Sequence, residues 1–187
     1  MNTSDKKFSS IILAGGEGKR VDGRDKGLIN YKDKPLIQHV IEAVTPQTDE
    51  IIISANRNRE GYESYGYKVV TDTADEYRGP LAGITAALPY CKNDWVFVAP
   101  CDMPFLPGNI IDTLCNEITT HDLCIAETEN RLQLVFLLNK SLLPSLIVSL
   151  QNDQLRLMQW VKSQNFITHS FTESPYFKNF NHTKDLA

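Results

Sequence analysis

The sequence lacks several features that would assign it to a common functional class. It has no apolar run long enough to span a bilayer, and no signal-peptide hydrophobic segment follows Met1. No Ser/His/Asp or Cys/His spacing typical of nucleophilic catalysis is present. The four cysteines form no C-x-x-C pair and the four histidines are unclustered. We therefore expect a cytoplasmic protein with reduced, mostly buried thiols.

An excess of positive charge is also missing. The 187 residues include 19 Lys and Arg against 23 Asp and Glu, a formal net charge of −4. A nucleic-acid or membrane-surface binder needs a broad basic face, so neither partner is expected. The chain has no repeat, low-complexity tract or linker, and its length suffices for a buried core. Residues 1–187 are predicted to form a single domain.

Short β-branched or apolar runs alternate along the chain with segments of helical spacing. Because these runs show little polar alternation, they are typical of strands buried on both faces of a mainly parallel sheet. The pattern predicts an α/β three-layer sandwich with helices on both faces and binding residues at the carboxyl ends of strands. Strands are predicted over 9–13, 50–54, 67–71, 95–99, 123–127 and 134–138, and helices over 36–44, 80–88 and 107–118.

A glycine-rich basic loop follows the first predicted strand. The stretch LAGGEGKRVDGRDKG at 13–27 contains five glycines and four basic residues. It matches neither G-x-G-x-x-G nor G-x-x-x-x-G-K-[ST], so the two common nucleotide-binding motifs fail. Small residues let backbone N–H groups approach a phosphate chain, and Lys and Arg neutralise its charge. We interpret the loop as a phosphate site; the alternative is a solvated basic loop.

Two further runs end in aspartate. Asp72 follows Lys68–Thr71, and Asp102 follows the apolar run from Trp95 and precedes a proline-rich turn. A carboxylate beside phosphates is expected to hold Mg²⁺. For Asp72, a strand-end or N-cap role is equally plausible, whereas for Asp102 the pattern favours a ligand.

These segments together resemble the molybdenum cofactor guanylyltransferases of the nucleotidyltransferase superfamily. The resemblance rests on L-A-G-G at 13–16, Arg20, D-K-G-L at 25–28, G-P-L-A-G at 79–83 and P-C-D-M-P at 100–104. The L-A-G-G start is common to the superfamily, and the other motifs are more specific to the molybdopterin branch. The resemblance implies transfer of GMP from GTP to the terminal phosphate of molybdopterin, with Mg²⁺ as cofactor and pyrophosphate as the second product. Other partners it implies are molybdopterin-handling and molybdoenzyme-maturation proteins.

The resemblance also implies roles for individual residues. Lys26, Arg20 and Asp102 are predicted to be catalytic, with Asp102 coordinating Mg²⁺. Such chemistry needs no protein nucleophile, because the attacking group is already a phosphate anion. The predicted nucleotide-binding residues are Leu13, Ala14, Gly15, Gly16, Lys26, Ser54, Asn56, Asp72, Gly79, Pro80, Leu81 and Asp102.

The sequence departs from the family pattern at a few positions and leaves three alternatives open. Ser54 stands where the family often has asparagine, and 131–134 replaces a common H-P step. Cys101 is expected to be a buried thiol, and Trp95 and Trp160 are expected in the core. The alternatives are a cytidylyltransferase acting on the same pterin, a sugar-phosphate nucleotidyltransferase, and a non-catalytic module that binds or delivers the cofactor.

Overall fold

A seven-stranded sheet forms the centre of the protein. The computed structural model describes residues 7–15, 25–72, 78–172, 174–178 and 180. The strands are β1 (Phe8–Leu13), β2 (Asn30–Tyr31), β3 (Lys34–Pro35), β4 (Glu50–Ser54), β5 (Lys68–Val70), β6 (Trp95–Pro100), β7 (Leu123–Thr128), β8 (Arg131–Asn139) and β9 (Phe166–Ser170). The helices are α1 (Leu36–Val44), α2 (Arg59–Glu63), α3 (Gly79–Ala87), α4 (Ile110–Glu117), α5 (Leu143–Gln151) and α6 (Leu157–Lys162).

The sheet has the strand order β5-β4-β1-β6-β8-β7-β9, and β2 pairs with β3 in a separate hairpin. Strands β5, β4, β1 and β6 run parallel to one another. In their register, Leu13 lies opposite both Ser54 and Pro100, and Ser54 lies opposite Val70. The carboxyl ends of these four strands therefore meet at one edge.

Strand β8 runs antiparallel to both β6 and β7. The connection from β7 to β8 consists of Glu129 and Asn130, which both have positive φ, 52° and 57°. Two left-handed residues are typical of the tight turn that joins antiparallel strands, since a parallel connection needs a long crossover. This short turn explains why the sheet is mixed at this point.

Helices cover both faces of the sheet. Alternate residues of a strand point to opposite faces, so Ile11 and Ile12 of β1 enter different hydrophobic clusters. The cluster around Ile12 receives side chains from α1, α2 and α4, and the cluster around Ile11 receives side chains from α3, α5 and α6. The predicted three-layer α/β sandwich is confirmed.

Local sequence explains how α1 packs on the sheet and how α3 begins. Helix α1 buries Leu36, Ile37, Val40, Ile41 and Val44, a spacing that places one apolar stripe against the sheet. Helix α3 has its proline in the first turn, where no backbone N–H is needed for the helix. No helix in the described ranges is both long and apolar enough to cross a membrane.

One helix begins later than predicted, and several elements were not predicted, namely β2, β3, β9, α2, α5 and α6. Helix α4 begins at Ile110 rather than at Pro107, whose carbonyl accepts the Ile110 N–H at 3.1 Å. Strand β9 was not predicted, because its sequence FITHS is short, polar in part and only half-buried. It adds to the sheet as a parallel neighbour of β7.

Candidate active site

Four predicted site segments meet at the carboxyl edge of the parallel strands, namely those at the ends of β1, β4, β5 and β6. Beyond the strand ends, the Ala14 N–H donates to the Ser54 carbonyl at 2.8 Å, and the Ala55 N–H donates to the Val70 carbonyl at 2.9 Å. The Cys101 N–H donates to the Leu13 carbonyl at 2.9 Å. These bonds extend the ladder by one residue and fix the backbone on which the site side chains stand.

The order of the strands separates the two predicted carboxylates. Asp72 follows β5 and Asp102 follows β6, and β4 and β1 lie between those strands. With neighbouring strands about 4.8 Å apart, the two strand ends are roughly 14 Å from each other. Both carboxylates cannot bind one metal ion at such a spacing. The edge instead offers two separate polar ends, one at Asp102 and one at Asp72.

Asp102 and Lys26 form the first of these ends. The Lys26 ammonium donates to Oδ2 of Asp102 in an ion pair. Asp102 is only 9% exposed, and its Oδ1 is buried with no hydrogen-bond partner among the described residues. The Phe180 N–H donates to the Asp102 carbonyl at 3.3 Å, so the loop is also held through its backbone. A buried carboxylate oxygen without a partner is a ready ligand for a cation.

A bonded cluster holds the turn that carries Lys26. Residues 26–28 form a 3₁₀ turn, and the preceding Asp25 accepts a hydrogen bond at each carboxylate oxygen. The Tyr62 hydroxyl donates to Oδ1, and Nδ2 of Asn58 donates to Oδ2 at 3.0 Å. A Cβ added at Gly27 would lie 2.6 Å from the Tyr62 hydroxyl oxygen, so only glycine allows this approach.

Asp72 and Asn56 form the second polar end. Oδ1 of Asn56 accepts the Asp72 N–H at 3.1 Å, which ties the segment after β5 to the segment after β4. Oδ1 of Asp72 and Oγ1 of Thr71 are buried and have no hydrogen-bond partner within the described ranges. A Cβ at Gly15 would lie 3.9 Å from Nδ2 of Asn56. Acceptors to which no described residue is bonded, with an amide close to Gly15, suit the hydroxyl and amino groups of a nucleoside.

Helix α3 packs its first turns directly under this edge. A Cβ at Gly83 would lie 2.6 Å from Oγ of Ser54 and 3.3 Å from Cδ2 of Leu13. The Ser54 hydroxyl therefore faces the helix, and the Leu81 side chain is fully buried in the core. Gly79 and Pro80 begin α3, and Gly79 has a φ of +75°. The side chains of Ser54 and Leu81 therefore pack beneath the edge.

Two predicted site residues, Gly16 and Arg20, lie outside the described residues. Tyr62 and Phe180 contact residues of the site, but no sequence motif indicates these contacts. Tyr62 lies in the short helix α2 and reaches Asp25 only through the fold, and Phe180 reaches Asp102 from the far end of the chain. Their aromatic character predicts burial, but nothing in the spacing indicates which motif they contact.

The remaining candidate side chains are part of the core. Burial is the main cause that raises the pKa of the Cys101 thiol well above its ordinary value, so the thiolate is disfavoured. Trp160 is buried, and its indole N–H donates to Oγ of Ser145 at 2.9 Å. Trp95 is partly buried and packs against the core.

No described group of three or more His, Cys, Asp or Glu side chains could hold a metal by itself. The Asp102 carboxylate fits Mg²⁺, which protein sites commonly hold through one or two carboxylates plus substrate phosphates.

Comparison with known proteins gives consistent matches over most of the chain. The family model described as "MobA-like NTP transferase domain" matches residues 10–166. A protein of Vibrio campbellii named molybdenum cofactor guanylyltransferase is 38% identical over 182 residues, which are 96% of this chain and 93% of the relative. A protein of the same name from Shewanella piezotolerans is 37% identical over 90% of this chain and 84% of the relative.

Solved structures show the same fold at lower sequence identity. The molybdopterin-guanine dinucleotide biosynthesis protein A of Archaeoglobus fulgidus superimposes with a TM-score of 0.78 at 22% identity, covering 95% of this chain and 94% of the other. A nucleotidyl transferase of Methanothermobacter thermautotroptrophicus superimposes with a TM-score of 0.76 at 16% identity, covering 96% and 94%. These likenesses concern the fold.

Proposed function

Because this chain belongs to the MobA-like NTP transferase family and is therefore a nucleotidyltransferase, we propose that it transfers GMP from GTP to molybdopterin. The acceptor is the terminal phosphate of the pterin, and the products are molybdopterin guanine dinucleotide and pyrophosphate. The observation that carries the proposal is the Lys26–Asp102 pair at the carboxyl edge, where no described residue is bonded to the buried Oδ1 of Asp102. The names of the relatives support the choice of GTP and molybdopterin.

The two polar ends of the edge suggest how the nucleotide lies. Asp72, Asn56 and the backbone at Gly15 offer acceptors and an amide to the nucleoside. Lys26 offers positive charge about three strands away, toward the phosphates. A nucleoside triphosphate laid across the edge would place its base and ribose near β4 and β5 and its phosphates near β6.

Asp102 is the residue proposed to hold Mg²⁺. A bound ion there would offset the charge that builds on the phosphate oxygens during transfer. In the structure, the Asp102 carboxylate forms an ion pair with the Lys26 ammonium. With nucleotide bound, Lys26 would contact a phosphate oxygen and the Asp102 carboxylate would hold the cation. Asp102 is buried and Lys26 is partly buried, so electrostatic interactions between these groups and a ligand are stronger than in water.

The direct test is pyrophosphate release measured separately with GTP, CTP, ATP and UTP. Each nucleotide is assayed with molybdopterin and Mg²⁺ present, and then with each of them omitted. Release with GTP alone, dependent on pterin and metal, is the expected result. Release with CTP would make the protein a cytidylyltransferase, and release only when a sugar phosphate replaces the pterin would move it to the sugar-phosphate branch. No release from a folded sample that still binds pterin would favour a delivery module.

Two substitutions test the assigned residues, and the same strand supplies a control. Asp102→Asn is expected to lower Mg²⁺-dependent turnover about 100-fold or more, because the amide removes the charge that holds the cation. The control is Asp94→Asn, since Asp94 is exposed and precedes β6 at its opposite end. Equal turnover in both variants would remove Asp102 from the metal site.

Lys26→Ala is expected to weaken GTP binding and to lower kcat/KM about 100-fold, because a phosphate contact is lost. Its control is Lys92→Ala, at an exposed lysine near the amino end of β6. An unaltered affinity for GTP in Lys26→Ala would remove Lys26 from the site.

A further inference from the structure

We propose that Tyr62 is a positioning residue for Lys26, acting through Asp25. The inference rests on the proposed function, in which Lys26 contacts the phosphates. Tyr62 touches neither reacting atoms nor substrate. Its hydroxyl fixes the backbone turn from which the Lys26 side chain reaches the site.

The first support is the bonding of Asp25. This residue precedes the 3₁₀ turn at the N-cap position, yet its side chain caps no backbone N–H there. Both carboxylate oxygens are directed to α2 and its N-terminal flank, one to the Tyr62 hydroxyl and one to Nδ2 of Asn58. A carboxylate that gives up local capping for two side-chain bonds anchors the turn to another element.

The second support is the close contact between the turn and α2. A Cβ at Gly27 would lie 2.6 Å from the Tyr62 hydroxyl oxygen and 3.0 Å from Sγ of Cys101. On the other side, a Cβ at Gly61 would lie 3.0 Å from Cδ1 of Leu28. The two backbones therefore approach each other through glycines on both elements. Such packing transmits a small shift of one element to the other.

The third support is the burial of Tyr62 itself. Its side chain is fully buried in the cluster that also contains Cys101 and the α1 stripe. Burial, followed by the nearby Cys101 and Asp25, raises the pKa of Tyr62 far above its ordinary value, so the hydroxyl remains a donor. A rigid ring with a permanent donor suits a fixed anchor.

An anchor is needed because lysine is long and flexible. The Lys26 side chain loses considerable rotamer freedom when it is held against a phosphate or against Asp102. A fixed backbone keeps its Nζ within reach of Asp102, whose loop is attached to a different strand. Loss of the Tyr62 hydroxyl would free the turn without changing any group that touches the substrate.

The test compares Tyr62→Phe with Tyr65→Phe, each removing one hydroxyl from neighbouring positions. Tyr65 is partly buried beside the same core, and no described residue is hydrogen-bonded to its hydroxyl. We expect Tyr62→Phe to lower kcat/KM for GTP about tenfold, the size of one lost bond to a charged group. Tyr65→Phe is expected to stay within about twofold of the unsubstituted protein.

The decisive step repeats both substitutions in Lys26→Ala. If Tyr62 acts through Lys26, then Tyr62→Phe has no further effect on kcat/KM or on GTP affinity in that background, within about twofold. A general loss of structure would instead lower the activity of Lys26→Ala by the same tenfold factor. That result would overturn the proposal, as would unchanged kcat/KM for Tyr62→Phe with active Lys26.

Two further measurements separate this proposal from loss of folding and from failure of the proposed function. Amide exchange is followed at Leu28 and Ile29, whose N–H groups bond to Asp25 and Lys26 within the turn. Faster exchange there in Tyr62→Phe, with unchanged exchange in β1, is expected; equal exchange at the turn would contradict the anchor. Absence of guanylyl transfer in the unsubstituted protein would refute the proposed function alone, because GTP affinity and exchange still test the anchor.

Discussion

Replacing Gly83 by alanine should destabilise the protein, although alanine is the better helix former. Gly83 lies within α3, where Gly→Ala gains about 1 kcal/mol of helix propensity. The added Cβ, however, would lie 2.6 Å from Oγ of Ser54 and 3.3 Å from Cδ2 of Leu13. Overpacking of this kind costs about 1–3 kcal/mol. The expected net loss is therefore about 1 kcal/mol in the free energy of unfolding.

When Ser54 is first replaced by alanine, Gly83→Ala is no longer expected to lower the free energy of unfolding. In a Ser54→Ala background the Oγ atom is absent, and the nearest remaining atoms are the flexible end of Leu13 at 3.3 Å and Cβ of residue 54 at 3.6 Å. Gly83→Ala then keeps its propensity gain and is expected to be neutral or stabilising by up to about 1 kcal/mol. The two substitutions should thus couple by about 1–3 kcal/mol.

Urea denaturation of the four proteins in this cycle measures the coupling. For a domain of this size, 1 kcal/mol corresponds to a Tm change of about 2–4 °C, which thermal melting resolves. Gly108→Ala is the matched control, since a Cβ there meets nothing within 4 Å and its φ is not positive. An equal cost of Gly83→Ala with and without the Ser54 hydroxyl would refute the reasoning that α3 packs on that atom.

Two other properties follow from the structure. Phe180→Ala should lower the free energy of unfolding, measured by urea denaturation, by about 3 kcal/mol. The reason is that the ring is buried against Tyr31 and Phe105, at centroid distances of 4.6 and 5.6 Å. An unchanged denaturation midpoint would show that these ring contacts contribute nothing to stability. Burial raises the pKa of Cys91 and of Cys124 to about 12, so the folded protein retains protons that the unfolded chain releases above pH of about 9. The free energy of unfolding should therefore fall as pH rises through that range, and Cys91→Ala and Cys124→Ala should each reduce the slope; a slope unchanged in both variants would contradict the assignment.

The parallel strands and helix α1 were predictable because their sequence signals are local. Unbroken apolar runs such as 50–54 and 95–99 indicate buried parallel strands, and both are strands in the structure. The spacing of 36–44 likewise indicates α1. The run 134–138 likewise lies within β8, but the antiparallel direction of β8 was not predicted, since the direction of a strand follows from its neighbour and its connection rather than from its own residues.

For the site, the sequence by itself determined the motif residues and the strand ends on which they stand. Asp72 and Asp102 each follow an apolar run, and parallel strands bring their carboxyl ends to one edge. Only the tertiary structure decided the distances across that edge, the pairing of Lys26 with Asp102, and the anchoring of Asp25 by Tyr62. Local propensity and periodicity act over a few residues, whereas these contacts join residues 76 and 37 positions apart. They exist only after the order of the strands has brought distant parts of the chain together.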